Sequence, residues 1–426
     1  MSVLIKIART AKELDDVYNL RYRVYVEERG KFETASSYNP RIVDHFDTIP
    51  GVVNIIAYSN GEPIASIRVN EDSDIGLPAE HYFDFGGVRE DLEKKYQLAL
   101  EQCVGDKSEV KPPKLVSGSM LAVHKDWRNR RNVIFSLFKS VAGIMYSRNA
   151  THIIGSISEE TLSLYGRLGF ETVADSEWKE EVNDYMVPMV APFETGFAWT
   201  FGEIKKSVDH FWLDNFCGQF ERVLLSPGEV LFEQGDEATH TFAIDEGWIA
   251  ISREDPNGNE MVLANLSRGA LFGELAVFDG ERRSAKASAL VNTEVISIER
   301  SAMFEMLKKK PDHLAQLLKH FAKRVRDTDN LAMVQAFAPQ TGRVEFALNE
   351  LWKSATPSRK NPHHRSIKVG PKQIARTARV REDEVRKLLE IKKSENILDY
   401  GEAVIKFYED PVDGALPVRA AGESPI

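Results

Sequence analysis

The sequence predicts a multidomain chain, an α/β region followed by a β-roll and then by a helix–turn–helix, and three changes of texture predict it. Residues 1–195 mix strand and helix patterns. Residues 205–310 turn to short apolar runs broken by PGE (227–229), QGD (234–236), DEGW (245–248), DPNGN (255–259) and SRGA (267–270), a density of turn signals that marks a β-roll or barrel. From Pro311 the apolar spacing becomes helical. A length of 426 residues exceeds one ordinary core, so two or three domains are expected.

Apolar residues make up 42% of the chain and charged residues 28%, which excludes a fibrous or disordered class. A net charge of −10 gives no global attraction to nucleic acid or an anionic membrane. Any DNA-binding surface must then be a local basic patch. Cys103 and Cys217 form no metal-binding spacing and read as reduced thiols, so no metal is expected. The N-terminus becomes charged too early for a secretory signal, and no uncharged run has the length to span a bilayer. A cytoplasmic protein is expected.

In the first domain, expected over 1–198, residues 52–69 read as two strands around the turn Asn60-Gly61. A strand at 118–123 runs through a basic turn into a helix at 132–148. Arg128, Arg130 and Arg131 beside unpaired N–H groups at a helix start suit a pyrophosphate or phosphopantetheine. The polar stretch 99–114 reads as a surface loop. Tyr165 stands four residues before Gly169-Phe170.

Together these segments resemble the GNAT acyltransferase superfamily. The resemblance implies that Tyr165 protonates a leaving thiolate, and that Val123, Arg128, Arg130 and Arg131 hold an acyl thioester. Asn129, Arg131 and Val133 stand where that family usually has glycines or a small residue. A narrower resemblance lies in RYRVYVEERGKF (21–32), VDHFD (43–47) and ASIRV (65–69), which look like the opening of acyl-homoserine-lactone synthases and long-chain N-acyl amino acid synthases. The matched positions are Arg23, Asp44, Asp47 and Arg68. This resemblance implies an acyl-ACP or acyl-CoA donor, acyl carrier protein as a partner, and Asp44 and Asp47 with Tyr165 in catalysis. Ser117 and Met120 stand where the lactone synthases carry Glu and Arg. Read by chemistry alone, Asp44 and Asp47 also fit a loop-capping pair, Arg68 a surface strand residue and Tyr165 a packed aromatic.

The second domain, expected over 205–310, contains the run FGELAVFDGERRSAKASA (272–289). Gly273 lets backbone approach a ligand, and a helix starting there favours an anion. Glu274 suits a ribose hydroxyl, Arg283 offers a planar fork for phosphate oxygens, and Ser284 adds a hydroxyl. The run resembles the phosphate-binding cassette of cyclic-nucleotide-binding domains, with Gly273, Glu274, Leu275 and Ala276 at its opening and Arg283, Ser284 and Ala285 at its close. Cyclic AMP or cyclic GMP is the effector this implies. A long helix at 311–338, apolar at Leu314, Leu317, Leu318, Phe321, Val325, Leu331 and Val334, can form a homodimer seam. By resemblance to the Crp/Fnr family, Thr328 and Asp329 fall where base-contacting groups lie; solvated helix residues are the alternative.

A polar link at 354–366 leads to a helix, a turn and a second helix, then a strand after Gly401. This part, 340–411, resembles the winged helix-turn-helix of the Crp/Fnr family and implies double-stranded DNA as a partner. Lys372, Arg376, Arg381, Arg386 and Lys387 suit phosphates, and Glu382 could accept from cytosine. The carboxylates of Glu382, Asp383 and Glu384 at the start of the second helix would repel phosphates, which leaves open a winged helix used for protein contact. The tail, 412–426, is expected to be disordered. The combined expectation is a Crp-like protein carrying an N-acyltransferase domain. Its rival is a transcription regulator whose N-terminal domain only senses an acyl ligand.

Overall fold

The computed structural model describes residues 2–32, 38–103, 110–196, 221–258, 260–309, 312–358, 361 and 363–411. Cys217 and the tail from residue 412 lie outside the described residues, as do residues 104–109 of the expected surface loop. The chain divides into two compact units, Met1–Leu224 and Leu225–Ile426.

The first unit is a sheet covered on both faces. Its strands are β1 (Val3–Ile7), β2 (Val53–Ser59), β3 (Glu62–Glu71), β4 (Leu115–Val123), β5 (His152–Ser158), β6 (Glu171–Thr172), β7 (Glu177–Lys179) and β8 (Asp184–Pro192). They run in the order β1-β2-β3-β4-β5-β8-β6, with β7 on β8. Asn60 (φ 52°) and Gly61 (φ 82°) form the two-residue turn of the β2–β3 hairpin, where both central residues need positive φ. Helix α1 (Ala11–Tyr22) starts in a capping box between Thr10 and Glu13. Helix α2 (Gly86–Gln102) carries helix into residues expected as loop. On one face Ile55, Ile67 and Val69 pack with Val133, Leu137, Val141 and Ile144 of α3 (Arg131–Ser147). Strand alternation turns Asn54, Ser66, Arg68 and Asn70 to the other face, all buried.

Two irregularities shape β4. Its register with β3 slips between Ser66 and Arg68, and Met120 lies there at φ 54°, a bulge in a strand. Its parallel pairing with β5 runs from Leu115–His152 to Ser117–Ile154, and among the described residues goes no further. Beyond that point β4 continues to Val123 and β5 to Ser158, unpaired with each other. A wedge opens between them.

The second unit begins with a β-roll. One sheet holds β10 (His240–Glu246), β13 (Leu271–Phe272) and β15 (Thr293–Glu299); the other holds β9 (Val230–Phe232), β11 (Trp248–Glu254), β12 (Glu260–Ser267) and β14 (Lys286–Ala289). The short helix α5 (Leu275–Asp279) follows β13. Helices α6 (Arg300–Lys309) and α7 (Asp312–Phe337) then lead to α8 (Gln340–Ser354), α9 (Pro371–Ala378) and α10 (Glu382–Ser394). Arg379 in the left-handed region ends α9 and turns the chain into α10. The expected polar link is partly strand: β16 (Thr356–Pro357) and β17 (Arg365–Ile367) join β18 (Leu398–Tyr400) and β19 (Ile405–Phe407) in one sheet. Arg365 explains the difference, because its guanidinium lies 4.7 Å over the Trp352 ring while its backbone pairs opposite Phe407.

Candidate functional site

In the first unit the buried polar face gathers into one cluster. Both oxygens of Asp47 accept from Arg21 Nη1, at 3.0 and 2.9 Å, and Arg68 Nη1 lies 2.9 Å from Oδ2. Arg21 Nη2 donates to Asn54 Oδ1 at 2.5 Å. Arg68 also forks onto Asp44, at 2.5 and 2.9 Å, and its Nε donates to Ser119 Oγ at 3.0 Å. Burial alone would raise the Asp47 pKa, but the two guanidiniums outweigh it and hold the carboxyl below its usual range. Asp44 caps the turn His45–Asp47, accepting from Phe46 N–H.

The structure therefore brings Asp44, Asp47 and Arg68 together, but as a charge cluster whose carboxylate oxygens are all engaged and which braces β4 through Ser119. It does not bring Arg23 into it. Arg23 is exposed, while Arg21 is buried. Helical phase carries the signal: Arg21 follows Val17 by four residues and precedes Val24 by three, on the buried side. Asn54, on the same face of β2, is likewise absent from the sequence reading.

Beyond the bulge, β4 presents backbone to the wedge. His124 N–H donates to Ile64 O at 2.9 Å, and Val123 stands opposite Ala65. Antiparallel alternation then turns Val123's own N–H and C=O away from β3. Its carbonyl accepts from Arg128 Nε at 3.0 Å, and the Leu121 carbonyl accepts from Tyr25 Oη at 2.9 Å. Tyr165, on α4 (Leu162–Arg167), is half-buried, with Phe138 and Phe170 edge-on to its ring at 5.8 and 5.3 Å. Burial, helped by Tyr25, pushes its hydroxyl pKa up, so the group stays protonated. Arg130 lies 4.9 Å over the Trp127 ring, Arg131 opens α3 at the surface, and Arg128 is ion-paired with Glu28.

In the second unit Gly273 (φ 70°) permits a close approach: a Cβ there would sit 2.8 Å from Arg283 Nη1. Arg283 donates to Gly273 O at 2.5 Å and His240 O at 2.6 Å, with its guanidinium 4.2 Å over the Phe232 ring. Its pKa is lowered by burial, against the pull of Asp236 and Glu274. Glu274 is fully buried; Oε1 lies 2.5 Å from Arg324 Nη1 of α7, and Oε2 has no hydrogen-bond partner. That orphan acceptor fits a ribose hydroxyl. Ala276 is buried beside it, whereas Leu275 and Ser284 are exposed. Thr328 and Asp329 are exposed within the single chain, and Thr328 Oγ1 donates back to Arg324 O at 2.8 Å. Arg324 is the residue the motif reading misses. Its position four before Thr328 on one helix face is the signal that locates it.

The winged part spreads its cations among carboxylates. Arg386 pairs with Glu382 and Glu402, Lys387 with Glu384, Arg381 with Asp383 and Arg376 with Glu260 of β12. Lys372 is exposed.

The chain joins an α/β unit to a second unit that opens with a β-roll and ends in a winged helix. Residues 222–310 match the family model of the cyclic nucleotide-binding domain, and residues 16–192 match that of the N-acyl amino acid synthase FeeM. The chain is 27% identical over 179 residues to the cAMP-activated global transcriptional regulator CRP of Salmonella typhimurium, covering 42% of this chain and 85% of that protein. It is 27% identical over 198 residues to the cyclic AMP receptor protein of Thermus thermophilus, covering 46% and 88%. The structure of FeeM, an N-acyl amino acid synthase from uncultured soil microbes, is similar to this chain at 16% identity and TM-score 0.35, over 46% of this chain and 92% of that one. The chain fuses an N-acyl amino acid synthase-like domain to a cyclic nucleotide-binding domain. Among the described residues no cluster of metal-binding side chains occurs, and no helix is long and apolar enough to cross a membrane.

Proposed function

We propose that the first unit transfers an acyl group from acyl carrier protein or coenzyme A to an amine, in a cytoplasmic protein whose second unit answers to cyclic AMP or cyclic GMP. The observation that carries this reading is the wedge past Ser117–Ile154, with the Val123 N–H turned toward it. The Val123 N–H would polarise the thioester carbonyl, and Tyr165 would protonate the departing thiolate. Arg130 and Arg131 are offered to the phosphopantetheine arm or carrier protein. Asp44 and Asp47 would act by fixing Arg21 and Arg68, since their oxygens are already engaged. In the second unit Glu274 would take the ribose and Arg283 the phosphate, with Gly273 admitting both. A homodimer through α7 is supported by exposed Leu314, Leu318 and Val325, which share one helix face. Mass spectrometry of lipid extracts from cells expressing the chain tests the reading. An N-acyl amine absent from control cells supports it.

For the winged part, ion pairing of Arg376, Arg381, Arg386 and Lys387 favours protein contact as a second reading beside DNA binding. A DNA-binding protein should lose affinity steeply with salt. Changing Glu382 and Asp383 to Ala should then raise affinity or alter sequence preference. No mobility shift of genomic fragments by either form, with or without nucleotide, supports protein contact.

A further inference from the structure

With Asp44 and Asp47 held by arginines, acyl transfer still needs a group to take the amine proton. We propose that Glu28 is that group, an inference that rests on the acyl-transfer reading above.

Glu28 ends the π-helical turn Arg23–Glu27 that follows α1. That turn hands two side chains to the wedge edge of β4. Tyr25 reaches the Leu121 carbonyl, and Glu28 reaches Arg128, whose Nε holds the Val123 carbonyl. Glu28 thus lies one guanidinium away from the residue whose N–H would polarise the thioester. Its side chain is only 10% exposed, and its two oxygens differ. Oε2 is held by Arg128, whereas Oε1 is buried with no hydrogen-bond partner. His124 Nε2 is 3.6 Å away, too far for a hydrogen bond. A buried carboxylate oxygen without a donor is costly, and an amine N–H entering the wedge would satisfy it.

The groups around Glu28 suit proton traffic. Arg128 holds the other oxygen, Oε2, in place. His124 continues outward, with Nδ1 3.6 Å from the exposed Asp126. That line leads from the buried oxygen to solvent.

The amine nitrogen bonds to the thioester carbon, the C–S bond breaks, and the sulfur leaves with the electron pair. The proton lost by nitrogen goes to Glu28 Oε1, and Tyr165 supplies the proton taken by sulfur. Glu28 then gives its proton to solvent through His124, and the Tyr165 phenolate takes one from solvent.

The test uses the full chain, acyl carrier protein loaded with a long-chain acyl group, and the amino acid that the wild type acylates best. Glu28→Gln should lower kcat roughly 100- to 10,000-fold, the range of a positioned general base, with KM for the thioester little changed. The deficit should persist above the pKa of the amine, because a neutral amine still loses one proton as the amide forms. Glu28→Ala should regain rate in added formate, which guards against a variant disabled by misfolding. Unchanged binding of the acyl carrier protein by each variant confirms a folded first unit. A Glu28→Gln protein with wild-type kcat and a raised KM would overturn the proposal, leaving Glu28 as a brace for Arg128. A wild type that binds the thioester without turnover would overturn the acyl-transfer reading itself, and this inference with it.

Discussion

Arg324 Nη1 on the long helix lies 2.5 Å from Oε1 of Glu274, an ion pair that ties α7 to the loop opening α5. Glu274 is fully buried, and Arg324 is the cation that compensates it, with His320 Nε2 4.0 Å from the same oxygen. Removing one partner of a buried pair costs about 3–5 kcal/mol, and the partly exposed Arg324 should fall at or below the lower end. Arg324→Gln should therefore destabilise the nucleotide-free protein by about 2–3 kcal/mol. The double variant Glu274→Gln/Arg324→Gln should cost less than the sum of the two single changes. Urea unfolding of the four proteins measures this coupling; additive losses would show that the pair carries no stability.

Arg283→Ala should remove cyclic nucleotide binding. The guanidinium is nearly buried and its loss leaves a desolvated phosphate without a partner, on the order of 2–5 kcal/mol. That corresponds to roughly thirtyfold to a few thousandfold in affinity. Calorimetry with cyclic AMP and cyclic GMP measures it, and an unchanged dissociation constant would contradict the pocket.

Tyr165→Phe keeps the edge-on packing against Phe138 and Phe170 and deletes only the hydroxyl. Turnover should fall roughly 100- to 10,000-fold with thermal stability little altered. Equal turnover with the wild type would leave Tyr165 as a packed aromatic.

Asp47 links stability to pH. Its folded pKa is depressed below the ordinary 3.8, because Arg21 and Arg68 outweigh burial. The unfolded chain therefore takes up this proton first as pH falls. The stabilisation is present above pH 3.8 and is lost as pH falls through the folded value. Asp47→Asn should be less stable at neutral pH and should flatten the acid limb of the stability curve. A variant whose stability falls in parallel with the wild type below pH 4 would contradict this.

How much of this was legible in the sequence depends on how local each feature is. The nucleotide loop is legible because Gly273, Glu274 and Arg283 lie in one run, and each residue type answers one part of the ligand. Arg324 belongs to a later helix, and only its phase relative to Thr328 connects it to that loop. In the first unit, strand alternation places Arg68 and Asn54 on one face, but choosing Arg21 over Arg23 takes the phase of α1. The bulge at Met120 has no sequence mark, since methionine has no preference for positive φ. The strands at Thr356–Pro357 and Arg365–Ile367 hide in a polar, Pro-containing stretch because their support, Trp352 and Phe407, comes from neighbouring elements.

The most direct measurement is turnover of long-chain acyl carrier protein with a panel of amino acids by the purified chain, with and without cyclic AMP or cyclic GMP. The account predicts an N-acyl amino acid product formed with release of the carrier thiol, at a rate that changes when nucleotide binds and does not change in Arg283→Ala. Binding of the acyl carrier protein with no product from any amine, in either nucleotide state, would contradict it and make the first unit a sensor of acyl groups.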